Sequence, residues 1–180
     1  MNVEIDISEV VLKTERLLLR SWREDDLNDF FEYASVDGVG EMAGWSHHKT
    51  KDDTEAILSL FIKGKKTFAI ERDGKVIGSL GIEKYDENKL PELSDKSGRE
   101  LGFVLSKDYW GNGYMAEAVA AVIDYLFKTV GLDFIVCGYF TDNSQSKRVQ
   151  EKCGFKFLKN SKYETAYGVI KEGCINILYR

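Results

Sequence analysis

The spacing of apolar positions changes several times along the chain, and each change marks an element. Leu17-Leu18-Leu19-Arg20 opens as a short buried strand. Leu27, Phe30, Phe31 and Ala34 then recur at i, i+3, i+4 and i+7, which lines one face of a helix. A second helix is predicted from Thr50, where Thr50-x-x-Asp53 resembles a capping box, with Ile57, Leu60 and Phe61 as its apolar face. Phe68-Ala69-Ile70 and Val76 to Leu80 flank Asp73-Gly74, a pair that supplies the positive φ angles of a tight hairpin turn. The polar stretch from Asp86 to Arg99 holds the only proline, Pro91, and reads as a loop before a strand from Leu101 to Leu105.

The longest helix comes next. Val119, Val122, Ile123, Leu126, Phe127 and Val130 keep the helical spacing until Gly131 stops it. Phe134 to Phe140 is a strand, and Ser144 to Lys152 a short helix closed by Gly154. Phe155-Lys156-Phe157 and Cys174 to Tyr179 are the last strands. Several strands, then the long helix, then strand, helix, strand, strand: that order predicts an α/β fold with a mixed sheet and helices on both faces.

Composition narrows the classes. The chain has 180 residues, the size of one domain spanning 1–180. With 25 basic and 30 acidic residues it carries a net charge of −5, which argues against a general nucleic-acid binder and leaves a cationic amine open as substrate. There is no basic segment leading into an apolar run at the start, and no apolar run approaches the ~20 residues of a membrane span. Cys137, Cys153 and Cys174 are odd in number, widely spaced and without a C-x-x-C pair. They read as reduced core residues of a cytoplasmic protein, with neither a disulfide frame nor a metal site.

Candidate chemistry concentrates between the strand ending at Leu105 and the helix beginning near Gly113. The first amides of a helix lack intrahelical acceptors and sit at the positive end of its dipole. Gly111 and Gly113 remove the β-carbons that would keep a pyrophosphate from those amides. The same glycines would equally serve a tight turn with no ligand. A dinucleotide-binding Rossmann loop fits less well, because at least three strands precede this one. No Gly-Lys-Ser/Thr follows the glycines, so there is no Walker A loop.

The stretch Leu101-Gly102-Phe103-Val104-Leu105, followed by Tyr109-Trp110-Gly111-Asn112-Gly113-Tyr114-Met115-Ala116-Glu117-Ala118, resembles motif A of the GNAT N-acetyltransferases. The nearest branch is that of the ribosomal-protein N-terminal (alanine/serine) acetyltransferases. Asn143-x-x-Ser146-x-Arg148-x-x-Glu151-Lys152-x-Gly154-Phe155 looks like that branch's second motif, and Thr14-Glu15-Arg16-Leu17-x-Leu19-Arg20 like its opening. Trp45 ahead of Thr50-x-x-x-Thr54 is similar as well. Motif A in the family usually reads Arg/Gln-x-x-Gly-x-Gly/Ala; here Trp110 and Met115 depart from it, while Gly113 keeps the central glycine.

The resemblance implies a mixed, mostly antiparallel sheet of about seven strands and direct acetyl transfer from acetyl-CoA to a primary amine, either a protein N-terminus or a small molecule. With the cysteine and apolar patterns above, no metal and no membrane partner are expected, and the chain is expected to be a monomer or homodimer. The resemblance assigns the cofactor to Phe103, Val104 and Leu105 for the pantetheine arm and to Trp110, Gly111, Asn112, Gly113, Tyr114, Met115 and Ala116 for the pyrophosphate. Asn143 and Ser146 would stand near the thioester. Acetyl transfer also needs a base for the amine and a partner for the leaving thiolate. Glu100 and Glu83 are the base candidates, Glu100 favoured because it immediately precedes the cofactor strand. Ser146, near the start of its helix, is the candidate acid in place of the family's common tyrosine. Arg148 and Lys152 are candidates for the 3′-phosphate, and His47 and His48 for the acceptor wall. The rival class is a non-catalytic acyl-CoA-binding module.

Overall fold

The computed structural model describes Met1–Arg180. Its centre is one eight-stranded sheet, β1 (Leu12–Lys13), β2 (Leu18–Ser21), β3 (Thr67–Arg72), β4 (Lys75–Glu83), β5 (Gly98–Leu105), β6 (Phe134–Phe140), β7 (Lys156–Glu164) and β8 (Ile170–Tyr179). The spatial order is β1-β2-β3-β4-β5-β6-β8-β7, antiparallel at every step except the parallel pair β5–β6. The eighth strand beyond the seven expected is the two-residue β1, too short to leave a periodic signal.

Local chemistry explains most element boundaries. Thr50 caps α2 (Lys51–Gly64), accepting from the Asp53 amide while the Asp53 carboxylate accepts from the Thr50 amide. Asp73 and Gly74 take φ of 51° and 81° between β3 and β4, the mirror-image turn that suits the twist of a hairpin. β5 begins at Gly98, earlier than the apolar pattern implies, because Asn2 bridges Gly98 and Glu100 pairs with Glu83. The long helix α3 (Tyr114–Tyr125) relaxes into a π-type turn over Leu126–Val130, where the Gly131 and Leu132 amides both reach the Leu126 carbonyl. α4 spans Ser144–Lys152 as the sequence predicts.

Side-chain alternation divides the core between the two faces of the sheet. On one, Leu19, Phe68, Ile70, Leu80, Leu101 and Ile135 pack against Ala118, Val119, Val122 and Leu126 of α3. On the other, Ala69 and Val76 meet Trp22 and the helices α1 (Leu27–Ala34) and α2 through Phe30, Tyr33 and Leu58. Farther along that second face, Tyr85, Leu90 and Leu93 of the 84–97 connection cover Phe134, Val136, Ile175 and Ile177. The α2 face is rotated from expectation: Leu58 is 3% exposed and Leu60 62%. Thr54, Leu58 and the half-buried Ile57 and Phe61 form the inward stripe, and Leu60 falls on the opposite side of the helix.

Candidate functional site

The parallel pair at the centre of the sheet opens. β5 and β6 run together from Gly98–Phe134 to Leu101–Cys137 and then part. Past that point β5 stays with β4 as far as Leu105–Gly78, and β6 stays with β8 as far as Phe140–Gly173. Phe103 to Leu105 therefore present one edge with no strand partner, and Gly138 to Phe140 face them across the gap. A cavity of about 500 Å³ fills the opening and continues to the start of α3 and the first turns of α4.

At one end of the cavity lies the glycine loop. Gly111 and Gly113 adopt φ of 79° and 80°, the left-handed region, and Gly113 is the residue from which α3 starts. No β-carbon could be held there without strain. The amides from Gly111 to Ala116 find no acceptor in the protein, leaving a row of donors at the positive end of the helix. Trp110 points inward, its indole N–H donating to the Leu105 carbonyl at 2.8 Å, which closes the end of β5. Asn112 turns its side chain back onto the carbonyls of Tyr109 and Trp110 and does not line the cavity. Tyr114, Met115 and Ala116 do line it.

A brace from the opening segment holds this loop. Glu117, in the first turn of α3, accepts from Thr14 Oγ1 at 2.6 Å and from Arg16 Nε at 2.7 Å, while Arg16 Nη1 donates to the Asn112 carbonyl at 3.1 Å. The Arg16 guanidinium also stacks on the Tyr114 ring at 4.4 Å. The Thr14-x-Arg16 pattern thus acts on the loop across the fold, which no local pattern reveals.

At the parting of the strands stand the two carboxylates. Glu83 and Glu100 are cross-strand partners and share a sheet face, but their surroundings differ. Glu83 is ion-paired with Lys66 and is absent from the cavity wall. Glu100 lines the cavity with no hydrogen-bonding partner; burial, reinforced by Glu83 and Asp86 and opposed by Lys89, raises its carboxyl to about 7.

α4 supplies the third part. Asn143 caps the helix, accepting from the Ser146 amide at 3.0 Å, and its Nδ2 donates to the Met42 carbonyl at 3.1 Å. Ser146 Oγ accepts from Gln150 Nε2 at 3.2 Å, so its own hydrogen is free to turn towards the cavity. Gln150, fully buried, also donates to the Gly138 carbonyl at 3.1 Å and accepts from Asn176 at 2.9 Å. Arg148 and Lys152 line the same cavity. Cys137, at the last paired step, has its thiol pushed well up by burial and then by Glu100, which leaves it protonated and unsuited to carry an acyl group.

A roof crosses the cavity on the Glu100 side. It consists of Val39 and the short 3₁₀ turn Glu41–Ala43, with Met42 and Ala43 on the wall. Gly44 ties it to the β7–β8 hairpin by accepting from the Ala166 amide at 2.7 Å. His47 and Glu41 bond each other within this segment, and His48 is buried against Thr54 Oγ1 at 2.8 Å. Both histidines hold the loop in shape, and neither lines the cavity.

An opened parallel pair, a row of unpartnered helix amides at one end and an unpaired carboxylate at the other: this arrangement offers donors for an anionic group and a base beside an open strand edge. Residues 16–156 match the acetyltransferase (GNAT) domain family, and the chain belongs to it. It is an acetyl-CoA-dependent acyltransferase. The N-acetyltransferase YoaA of Bacillus subtilis (strain 168), itself uncharacterized, is 31% identical over 153 residues, covering 81% of this chain and 82% of that one. A GNAT-family acetyltransferase from Bacillus anthracis superposes with a TM-score of 0.79 at 23% identity, covering 94% of this chain and 98% of that chain. The ribosomal-protein-S5-alanine acetyltransferase of Vibrio fischeri superposes with a TM-score of 0.68 at 19% identity, covering 94% and 96%. The two structures share the fold.

Proposed function

We propose that this protein moves the acetyl group of acetyl-CoA directly to the nitrogen of a primary amine, either a protein N-terminus or a small molecule. The observation that carries the reading is Glu100, an unpartnered carboxyl raised to about 7 on the lip of the strand gap. A base in that range accepts a proton near neutral pH far better than an ordinary carboxylate.

The amides of Gly111 to Ala116 would hold the pyrophosphate, and the free edge from Phe103 to Leu105 would pair with the amides of the pantetheine arm. That arm directs the thioester to the parting of the strands, beside Glu100. The amine nitrogen attacks the thioester carbon, Glu100 takes the proton that the nitrogen sheds, and the carbon–sulfur bond breaks to release the thiolate. Ser146 is the donor to the departing sulfur, since its hydroxyl hydrogen is not used inside the protein. The protonated state of Cys137 favours direct attack over an acyl-enzyme. Glu83, held in an ion pair by Lys66, helps to raise the Glu100 carboxyl.

Calorimetry with coenzyme A, followed by an amine and N-terminal peptide screen with free-thiol detection, tests the reading. Uptake of coenzyme A and thiol release above hydrolysis are expected. Uptake with no turnover of any acceptor would leave a non-catalytic acyl-CoA-binding module.

A further inference from the structure

Tyr163 lies on β7, at the edge of the sheet, yet its side chain crosses β8 and ends over β6 at the cavity wall. Two glycines inside neighbouring strands make that crossing possible. A β-carbon at Gly138 of β6 would collide with the Tyr163 hydroxyl, and one at Gly173 of β8 would lie 2.6 Å from its ring. Glycine within a strand is destabilising relative to alanine, so this groove is a placement held at some cost in stability. Phe140 packs edge-on to the ring at 5.9 Å and Lys89 Nζ stands 5.2 Å above it.

The position is specific. Gly138 is the first β6 residue beyond the last paired step, Leu101–Cys137, and Glu100 stands opposite Val136, two residues earlier and so on the same sheet face. The Tyr163 hydroxyl and the Glu100 carboxylate therefore occupy opposite lips of one opening. The hydroxyl donates to the Cys174 carbonyl at 3.2 Å. A phenol has a single hydrogen, so towards the cavity this oxygen can only accept. Burial, and then Glu100, raise the phenol well above its ordinary value, which keeps that hydrogen in place.

We infer that Tyr163 is an acceptor-binding residue: its oxygen accepts a hydrogen bond from an N–H of the incoming amine, while Glu100 faces the same nitrogen from the other lip. The inference rests on the amine-acetylation reading above. Two acceptors on one nitrogen aim its lone pair at the thioester and select primary amines, which have N–H groups for both.

The test is Tyr163→Phe, which keeps the ring in its groove and removes only the oxygen. The probes are aliphatic and aralkyl amines, polyamines, and short peptides beginning with alanine or serine. For each amine the wild type acetylates, kcat/KM should fall roughly tenfold or more, mainly through KM. Acceptor-free hydrolysis of acetyl-CoA, coenzyme A affinity and the fall in activity below about pH 7 that protonation of Glu100 causes should all stay unchanged. Wild-type kcat/KM in the variant would overturn the inference, with the amine reading intact. An equal loss in acceptor-free hydrolysis would also overturn it, by placing the effect on the thioester side. If the wild type acetylates no amine, the parent reading fails and the inference falls with it.

Discussion

At the residue scale, the pair Glu83 and Glu100 shows how one fold gives two like groups different chemistry. They face each other across β4 and β5, so only their surroundings separate them. Lys66 neutralises Glu83, whereas Glu100 has no counter-charge within bonding distance and is largely removed from water. Glu100→Gln is expected to lower turnover by roughly 10²–10⁴-fold and to abolish the acidic limb near pH 7, with coenzyme A affinity unchanged by calorimetry. The same group sets a pH-dependent stability. Its carboxyl rises from 4.5 to about 7 on folding, so the folded state holds the proton longer and the penalty is absent below 4.5. It grows between those values and is complete above 7. At pH 8, Glu100→Gln should therefore be more stable than the wild type by about 3 kcal/mol, and the two should converge near pH 4. Equal denaturation midpoints at pH 8 would contradict the assigned burial.

At the scale of elements, the glycine loop and α2 make separable predictions. Gly113→Ala places a β-carbon at φ 80° with nothing crowding it except Arg16 Nη2 at 3.6 Å. The cost is backbone strain of about 1–2 kcal/mol, and displacement of the amide row should weaken coenzyme A binding by roughly tenfold. Calorimetry of the folded variant checks this, and unchanged affinity would mean that the phosphates rest elsewhere. On α2, Leu58→Ala should cost about 2–4 kcal/mol in urea denaturation and Leu60→Ala less than about 0.5, since one is buried and the other is not. The sequence pattern marked the helix and its cap but chose the wrong leucine. Adjacent stripes on a helix differ by small rotations, and Thr54, a polar residue turned inward, hides the true one.

At the scale of the molecule, the site depends on segments far apart in the chain. Asn143 joins α4 to the roof, and Gly44 joins the roof to the β7–β8 hairpin. Asn143→Ala removes the helix cap and the Met42 tie together, at about 1 kcal/mol for the cap. Hydrogen exchange should quicken both over residues 40–45 and in the first turn of α4, leaving the acidic limb of activity in place. Faster exchange in α4 alone would show that the roof is held by other contacts. Tyr163, Gln150 and the Arg16–Glu117 brace belong to this scale as well. Their single sequence hints are indirect, such as Gly138 and Gly173 within strand patterns, where missing side chains signal a close approach.

The chain by itself determined the features that depend on near neighbours: the cap at Thr50, the Asp73-Gly74 turn, the α4 boundaries and the positive-φ glycines ahead of α3. Periodicity and turn chemistry act over a few residues, so they survive in a linear reading, and so does a motif built from them. Only the tertiary structure decided which carboxylate stands unpaired, which tyrosine reaches the gap and what roofs it. Those outcomes depend on strand order and register. A strand placed last in sequence, β8, lies between β6 and β7, and it carries the glycine and carbonyl that Tyr163 requires. Desolvation and hydrogen-bond partnership are properties of the assembled surface, and no spacing along the chain encodes them.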